Sequence, residues 1–192
     1  MTNIRRLAIT LALGSVLISA CSSDDRPRET MAEKKAATAD VVTASNTPAG
    51  RLLIAINKVR ARRGLPALNM DSRLARAARG HASDMADNDF FAHRGSDGSS
   101  FAGRVTRQGY AYRFVGENIA AGLPSPNETV ESWLASPHHR RNVLAANAIP
   151  IGIGYAYRPD DRGRADYGHY WVLTVGCSTG TSGNAPRAEC GK

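Results

Sequence analysis

Apolar residues recur at helical spacing from the start of the folded region. Leu52, Leu53, Ile56 and Val59 share one face, while Arg51, Lys58, Arg60, Arg62 and Arg63 lie mostly on the other. Gly64 and Pro66 end this first helix. Asp71 is a good N-cap for a second, whose stripe is Leu74, Ala78, His81, Ala82 and Met85. His81 on that stripe reads as a packed, satisfied histidine. Asn88-Asp89 breaks the helix, and Phe90-Phe91-Ala92-His93 reads as a short extended segment. A turn-rich loop follows over residues 94–100, then a short helix carrying Phe101, Val105 and Gln108. Val115 to Ala120 is a strand. Ser125-Pro126-Asn127-Glu128 is a capping box with proline at N1, and Val130, Trp133 and Leu134 give the buried face of the helix it starts. Ser136-Pro137 repeats the signal, placing His139 at N3 of another short helix.

The period then changes from helical to alternating. Ile151, Ile153, Tyr155 and Tyr157 alternate with Gly152, Gly154 and Ala156, and Tyr170 to Val175 returns as the second arm of a hairpin. Two glycines on one face of a strand predict a close approach by a helix or loop. Helices interleaved with short strands argue for a layered α+β domain with its sheet between helices.

The N-terminus has a different pattern. Arg5-Arg6 precedes an apolar run from Leu7 to Ile18, too short for a comfortable membrane span, and the run ends at Ile18-Ser19-Ala20-Cys21. Small residues before a single cysteine resemble a bacterial lipoprotein signal, which implies lipidation of Cys21 and membrane attachment through its acyl chains. The resemblance to lipoprotein sorting, with Ser22 after the cysteine, implies an extracytoplasmic address at the outer membrane where there is one. Residues 22–49 contain few large apolar side chains and read as a flexible tether. The expected organisation is a signal peptide over 1–20, a lipid-anchored linker over 21–49, a domain over 50–178 and a tail over 179–192. Cys177 and Cys190 form an even pair in an oxidising compartment and read as a disulfide tying that tail back.

Composition adds modest constraints. Apolar content of 42% supports a packed core in a chain of 192 residues. The net charge of +8 favours anionic surroundings. The basic residues are scattered and lack interleaved stacking aromatics, so a nucleic-acid surface is not expected. The chain is taken as a monomer.

Glu117 carries the chemistry. It is the single ionisable residue in the apolar run Phe114 to Ala120, where an unpaired charge is expensive. His93 and His139 are its candidate partners, and the expectation is that all three meet in one cleft. The motifs Phe90-Phe91-Ala92-His93 with Asp97-Gly98, Gly116-Glu117-Asn118-Ile119-Ala120, Trp133-Leu134-Ala135-Ser136-Pro137-His138-His139-Arg140-Arg141-Asn142, Ile151-Gly152-Ile153-Gly154 and Tyr170-Trp171 resemble, in this order, the CAP superfamily of cysteine-rich secretory, antigen 5 and pathogenesis-related 1 proteins, and most of all its bacterial SCP-like branch. The resemblance spans about Leu52 to Gly176. It implies a three-layer α-β-α sandwich with a large central cleft lined by His93, Glu117 and His139. Eukaryotic members complete a tetrad with a second glutamate, and Ser136 stands at that position here.

Two imidazoles and one carboxylate suit Zn²⁺ or another divalent cation, with a position open for water. Family members that hold a cation through these two histidines support that reading. The alternative is that Glu117 pairs with a histidine and holds the cleft walls. Ser136 and Ser96 are the candidate hydroxyls for a Ser-His-Glu hydrolase, although no Gly-x-Ser-x-Gly elbow exists. His138 is expected to be exposed, pointing away from His139, and His169 ends the charged loop of the hairpin. The leading expectation is a binding module for an envelope ligand or partner, whether lipid, peptidoglycan or protein. A metal-dependent hydrolase of peptide or ester bonds is the alternative, with a Ser-dependent one behind it.

Overall fold

The computed structural model describes residues 45–179, except 148 and 162. The expected signal peptide, the lipidated Cys21, most of the tether and the C-terminal tail with Cys190 lie outside the described residues. The elements in chain order are α1 (Pro48–Ala61), β1 (Asn69–Met70), α2 (Ser72–Asp87), α3 (Phe101–Arg107), β2 (Tyr112–Ala121), α4 (Pro126–Ala135), α5 (Pro137–Val143), β3 (Pro150–Tyr157) and β4 (His169–Ser178). The strands form one sheet in the order β1-β3-β4-β2. β4 is antiparallel to both of its neighbours, and the two-residue β1 runs parallel to β3.

The helices start where local chemistry predicts. Asp71 accepts the backbone N–H groups of Arg73 at 2.8 Å and Leu74 at 3.3 Å. Ser125 and Glu128 complete the capping box of α4. Pro137 opens α5, but the Ser136 side chain makes no capping hydrogen bond there. Phe90 to His93 do not pair into a strand. Asp89 has φ 55°, and this left-handed residue turns the chain into an irregular crossing.

The sheet is covered on both sides. Leu52 and Ile56 of α1, Val130 and Trp133 of α4 and Val143 of α5 pack on Ile151, Ile153, Leu173 and Val175. On the opposite face, Ala78, Ala82 and Met85 of α2 pack on Ile119, Tyr170 and Val172, and Val105 of α3 joins Leu74 and Tyr110. Helices thus enclose the sheet in an α-β-α sandwich.

The β3 glycines explain how tightly α2 sits. A Cβ at Gly152 would lie 2.0 Å from the Leu74 carbonyl carbon, and one at Gly154 would lie 2.2 Å from the Ala78 carbonyl oxygen. The helix backbone itself rests on the strand, so no side chain can be added between them. Gly154→Ala is therefore expected to cost about 3 kcal/mol, as overpacked cores do. Urea denaturation of the variant checks this, and an unchanged midpoint would contradict the packing.

One expectation about the first helix fails. Arg60 is not on a solvated face but is fully buried. Its guanidinium donates to the carbonyls of Val143 at 2.9 Å, Ala145 at 2.8 Å and Asn147 at 3.2 Å, and its Nε donates to Pro66 at 2.9 Å. A planar cation with five donors can satisfy several buried carbonyls at once. Arg60 thereby ties the chain after α5 to α1.

Candidate functional site

β2 is an edge strand, and its side chains alternate between the two faces of the sheet. Glu117 and Ile119 turn toward α2, whereas Asn118 turns toward α5. Each face delivers one histidine to the neighbourhood of this edge. His93 arrives from the segment after α2, and His139 arrives at the third position of α5.

Glu117 is the centre of a buried network. Its Oε1 accepts from His93 Nδ1 at 2.9 Å, and its Oε2 accepts from Arg104 Nη2 at 2.8 Å. The carboxylate is 1% exposed and Arg104 is 8% exposed, so the ion pair is closed to solvent. Arg104 also donates to the carbonyls of His93 and Ser99, both at 3.0 Å, and so ties the 93–99 loop to the same charge.

Behind Glu117 lies His81, fully buried, with Nε2 3.9 Å from Glu117 Oε1. His81 Nε2–H donates to the Ala92 carbonyl at 2.9 Å. The other ring nitrogen, Nδ1, has no hydrogen-bond partner and lies 4.0 Å from Asp84 Oδ2. The stripe position is as expected, but the ring is only half satisfied. Burial lowers the His81 pKa, with Arg104 acting in the same direction.

His139 is positioned through its backbone. Asn118 Nδ2 donates to the His139 carbonyl at 3.0 Å, and Asn118 Oδ1 accepts from Asn142 Nδ2 at 2.7 Å. Gly116 leaves room for this pair, since a Cβ there would lie 3.0 Å from Asn142 Oδ1. Partial burial lowers the His139 pKa, and the nearby His93 and His138 lower it further.

His93, Glu117 and His139 all line one cleft of about 720 Å³. Its far wall is the segment after α5 that Arg60 holds, including Leu144, Ala145 and Ile149. Phe114 and Cys177 contribute from the sheet, and Arg140 and Arg141 add positive charge. His138 is exposed as expected, but it lines this cleft rather than pointing elsewhere, and its Nδ1 accepts from Arg141 at 3.0 Å.

Other candidates fall outside the cleft. Ser136 is not among its lining residues. Ser96 Oγ donates to Asp84, whose other oxygen accepts the Ser96 N–H at 2.9 Å, so this hydroxyl belongs to the 93–99 loop. His169 sits toward the opposite end of the sheet, where its Nδ1 is 2.8 Å from the Tyr155 hydroxyl. Cys177 is buried in β4, and its expected partner Cys190 lies outside the described residues.

As a metal ligand set the trio is incomplete. Both Glu117 oxygens are engaged, by His93 and Arg104, so the carboxylate orients an imidazole rather than facing the hollow. Among the described residues, no group of three or more His, Cys, Asp or Glu side chains is arranged to hold a metal. The two imidazoles that remain are one short of the three protein ligands of a catalytic zinc site. A three-ligand centre does not fit these residues.

Sequence reasoning missed Arg104, Arg60 and Asn118 as parts of the site. Asn118 lies inside the motif around Glu117. Arg104 follows Phe101 by three residues on a short helix, and only the need to neutralise Glu117 could have pointed to it.

The profile of the cysteine-rich secretory protein (CAP) family matches residues 53–175. The chain belongs to that family. Among curated proteins it is 37% identical over 99 residues to the uncharacterized protein YkwD of Bacillus subtilis (strain 168), covering 52% of this chain and 38% of that protein. It is 32% identical over 104 residues to the uncharacterized membrane protein YlbC of the same organism, covering 54% of this chain and 30% of that protein. The match thus spans about a third of the length of these relatives. Among solved structures, an extracellular protein containing an SCP domain from Bacillus anthracis superposes with a TM-score of 0.55 at 27% identity, over 66% of this chain and 39% of the other. An outer surface protein of Borrelia burgdorferi shares the fold with a TM-score of 0.60 at 21% identity, over 69% of this chain and 93% of the other. No described helix is long and apolar enough to cross a membrane.

Two measurements probe this CAP-domain network. Arg104→Met removes one partner of a buried ion pair and is expected to cost about 3 kcal/mol or more, read by chemical denaturation. The second concerns pH. The pKa values of His81 and His139 are lowered in the folded state, so the unfolded chain takes up protons first as pH falls below about 6.5. Stability is therefore expected to decline from pH 7 to pH 5, and the double variant His81→Gln/His139→Asn should flatten the decline. An unchanged slope in that variant would remove both histidines from the account.

Proposed function

We propose that the chain is an extracytoplasmic, membrane-anchored CAP-domain binding module whose cleft holds an envelope ligand. The observation that carries this reading is the cleft itself. It is a preformed hollow of about 720 Å³ with a mostly apolar lining and a few convergent polar groups, which is the usual character of a small-molecule site. The surface and extracellular descriptions of related proteins support an extracytoplasmic address. Attachment through a lipidated Cys21, and a Cys177–Cys190 disulfide closing the domain, complete the proposal.

The His93–Glu117 pair supports a second reading as a hydrolase. An imidazole oriented by a carboxylate is a general base in waiting. His93 would then activate a water molecule against an ester or amide carbonyl. This reading is the weaker one, because neither candidate serine lines the cleft and, among the described residues, no group of three His, Cys, Asp or Glu side chains is arranged to hold a metal.

The binding reading is tested by placing a photo-crosslinking phenylalanine analogue at Phe114, inside the cleft, and separately at exposed Arg79. Illumination of intact producing cells, followed by mass spectrometry, should give an adduct at position 114 and none at 79. Equal labelling at both positions would remove the cleft as a ligand site. Ester and peptide panels run with and without chelator test the hydrolase. Turnover abolished by His93→Ala would favour it over the binding module.

A further inference from the structure

Two ladders of aromatic rings climb out of the core at the end of the sheet away from the cleft. Their roots are Tyr170 and Trp171, consecutive residues of β4 that are both buried and that point to opposite faces of the sheet. On the face of α1 and α4, Tyr155 packs on Trp171 with ring centroids 4.2 Å apart, His169 lies 6.0 Å from Tyr155, and Tyr157 lies 4.6 Å from His169. The Tyr155 hydroxyl is 2.8 Å from His169 Nδ1 and fixes that ring. On the face of α2, Tyr167 meets Tyr170 edge-on at 6.2 Å, and Phe91 meets Tyr167 at 5.6 Å.

Both ladders end in water. Six large apolar or aromatic side chains are exposed among the described residues, and three of them are the outer rungs, Phe91 at 40%, Tyr157 at 56% and Tyr167 at 44%. The ladders meet at Gly168, which follows Tyr167 directly and whose Cβ, if it had one, would lie 3.9 Å from Tyr157 Cε2. The segment carrying Tyr167 is pinned from two sides. Asp161 accepts the N–H groups of Tyr167 at 3.1 Å and Gly168 at 3.2 Å, and Asp89 accepts those of Arg164 at 2.7 Å and Ala165 at 2.8 Å. Rings held in this way lose little freedom when something packs on them.

The charge around these rings narrows the partner. Residues 158–168 contain three arginines and three aspartates, so this loop is neutral in a chain of net charge +8. It complements an uncharged partner better than a polyanion. A pyranose fits that description. Its axial C–H groups are weakly positive and pack on the negative face of an aromatic ring, while its hydroxyls need donors and acceptors at the rim. The hydroxyls of Tyr157 and Tyr167 and the exposed carboxylates of Asp160 and Asp166 supply them.

We infer that this aromatic platform binds an uncharged glycan chain, with one sugar on Phe91 and Tyr167 and another on Tyr157. The two outer surfaces flank Gly168 from opposite faces of the sheet, so the occupant is a chain rather than a single sugar. The platform is separate from the cleft and does not depend on what the cleft holds.

Titration calorimetry on the purified chain tests the inference. Chitotetraose and cellotetraose supply uncharged chains with and without N-acetyl groups, N-acetylglucosamine supplies a single sugar, and tetragalacturonate supplies a charged chain of the same length. At least one uncharged tetrasaccharide is expected to bind about tenfold or more tighter than both N-acetylglucosamine and tetragalacturonate, and the better of the two identifies the sugar. Tyr157→Ser and Phe91→Ser each remove an outermost ring and should weaken that binding about tenfold, with unchanged urea midpoints showing that the fold persists. Phe114→Ser, in the cleft, should leave it unchanged. In the unmodified chain, magnetisation placed on the aromatic protons should pass to the ring C–H protons of the bound sugar, which tests the stacking without any variant.

Equal binding of the tetrasaccharides and N-acetylglucosamine, tighter binding of tetragalacturonate, or an absence of binding by every glycan would overturn the inference. Binding lost in Phe114→Ser but kept in Tyr157→Ser would move the glycan to the cleft and overturn it too, while leaving the binding-module reading standing. So would a dimer in sedimentation that Tyr157→Ser dissolves, since a second copy of the chain would then cover the platform.

Discussion

The buried carboxylate of Glu117 is the constraint on which the site depends. A charge removed from water must be neutralised and hydrogen-bonded, or the fold does not tolerate it. Arg104 neutralises it from α3, and His93 accepts the role of second partner from the segment after α2. Three pieces of chain separated in sequence are thereby fixed to one strand. Because that strand is the edge of the sheet, the network reaches around to the side where α5 presents His139. A central strand could not serve both faces in this way, since its neighbours would close off each side.

The opposite wall of the cleft is built on the same physics with the charge reversed. Arg60 is a buried cation that no carboxylate pairs with among the described residues, and backbone carbonyls from the end of α5 and the segment after it satisfy its donors. Burial lowers its pKa, but an arginine stays charged even so. The segment it holds has little regular structure of its own. Its shape is set by where the guanidinium can reach. The cleft thus has one wall organised by a buried anion and one organised by a buried cation, while direct backbone contact between α2 and β3 sets the scaffold between them.

Much of this fold was legible from local patterns. The stripe Leu74, Ala78, His81, Ala82 and Met85 is buried throughout, because helical period and burial coincide where a helix lies flat on a sheet. The capping box at Ser125 and the alternation after Ile151 were equally readable. The histidines and Glu117 were found because a lone carboxylate in an apolar run demands explanation. What could not be read was partnership across the fold. Arg60 and Arg104 look like ordinary members of polar helix faces, and only the three-dimensional path of residues 143–147 and of Glu117 reveals why they are buried. Of the two roles the sequence allowed Glu117, the structure displays the pairing with a histidine. Its chemistry also allows ligation, and only the fold reveals that both of its oxygens are engaged, by His93 and Arg104.

Ser136 bears on how this site differs from the tetrad that the family resemblance implies. A second glutamate at that position would add an acid near the histidines and bring the cleft closer to electrical balance. Serine adds none, and its side chain lies outside the lining altogether. With Glu117 neutralised from within, the histidines and Arg141 face the hollow without a compensating acid.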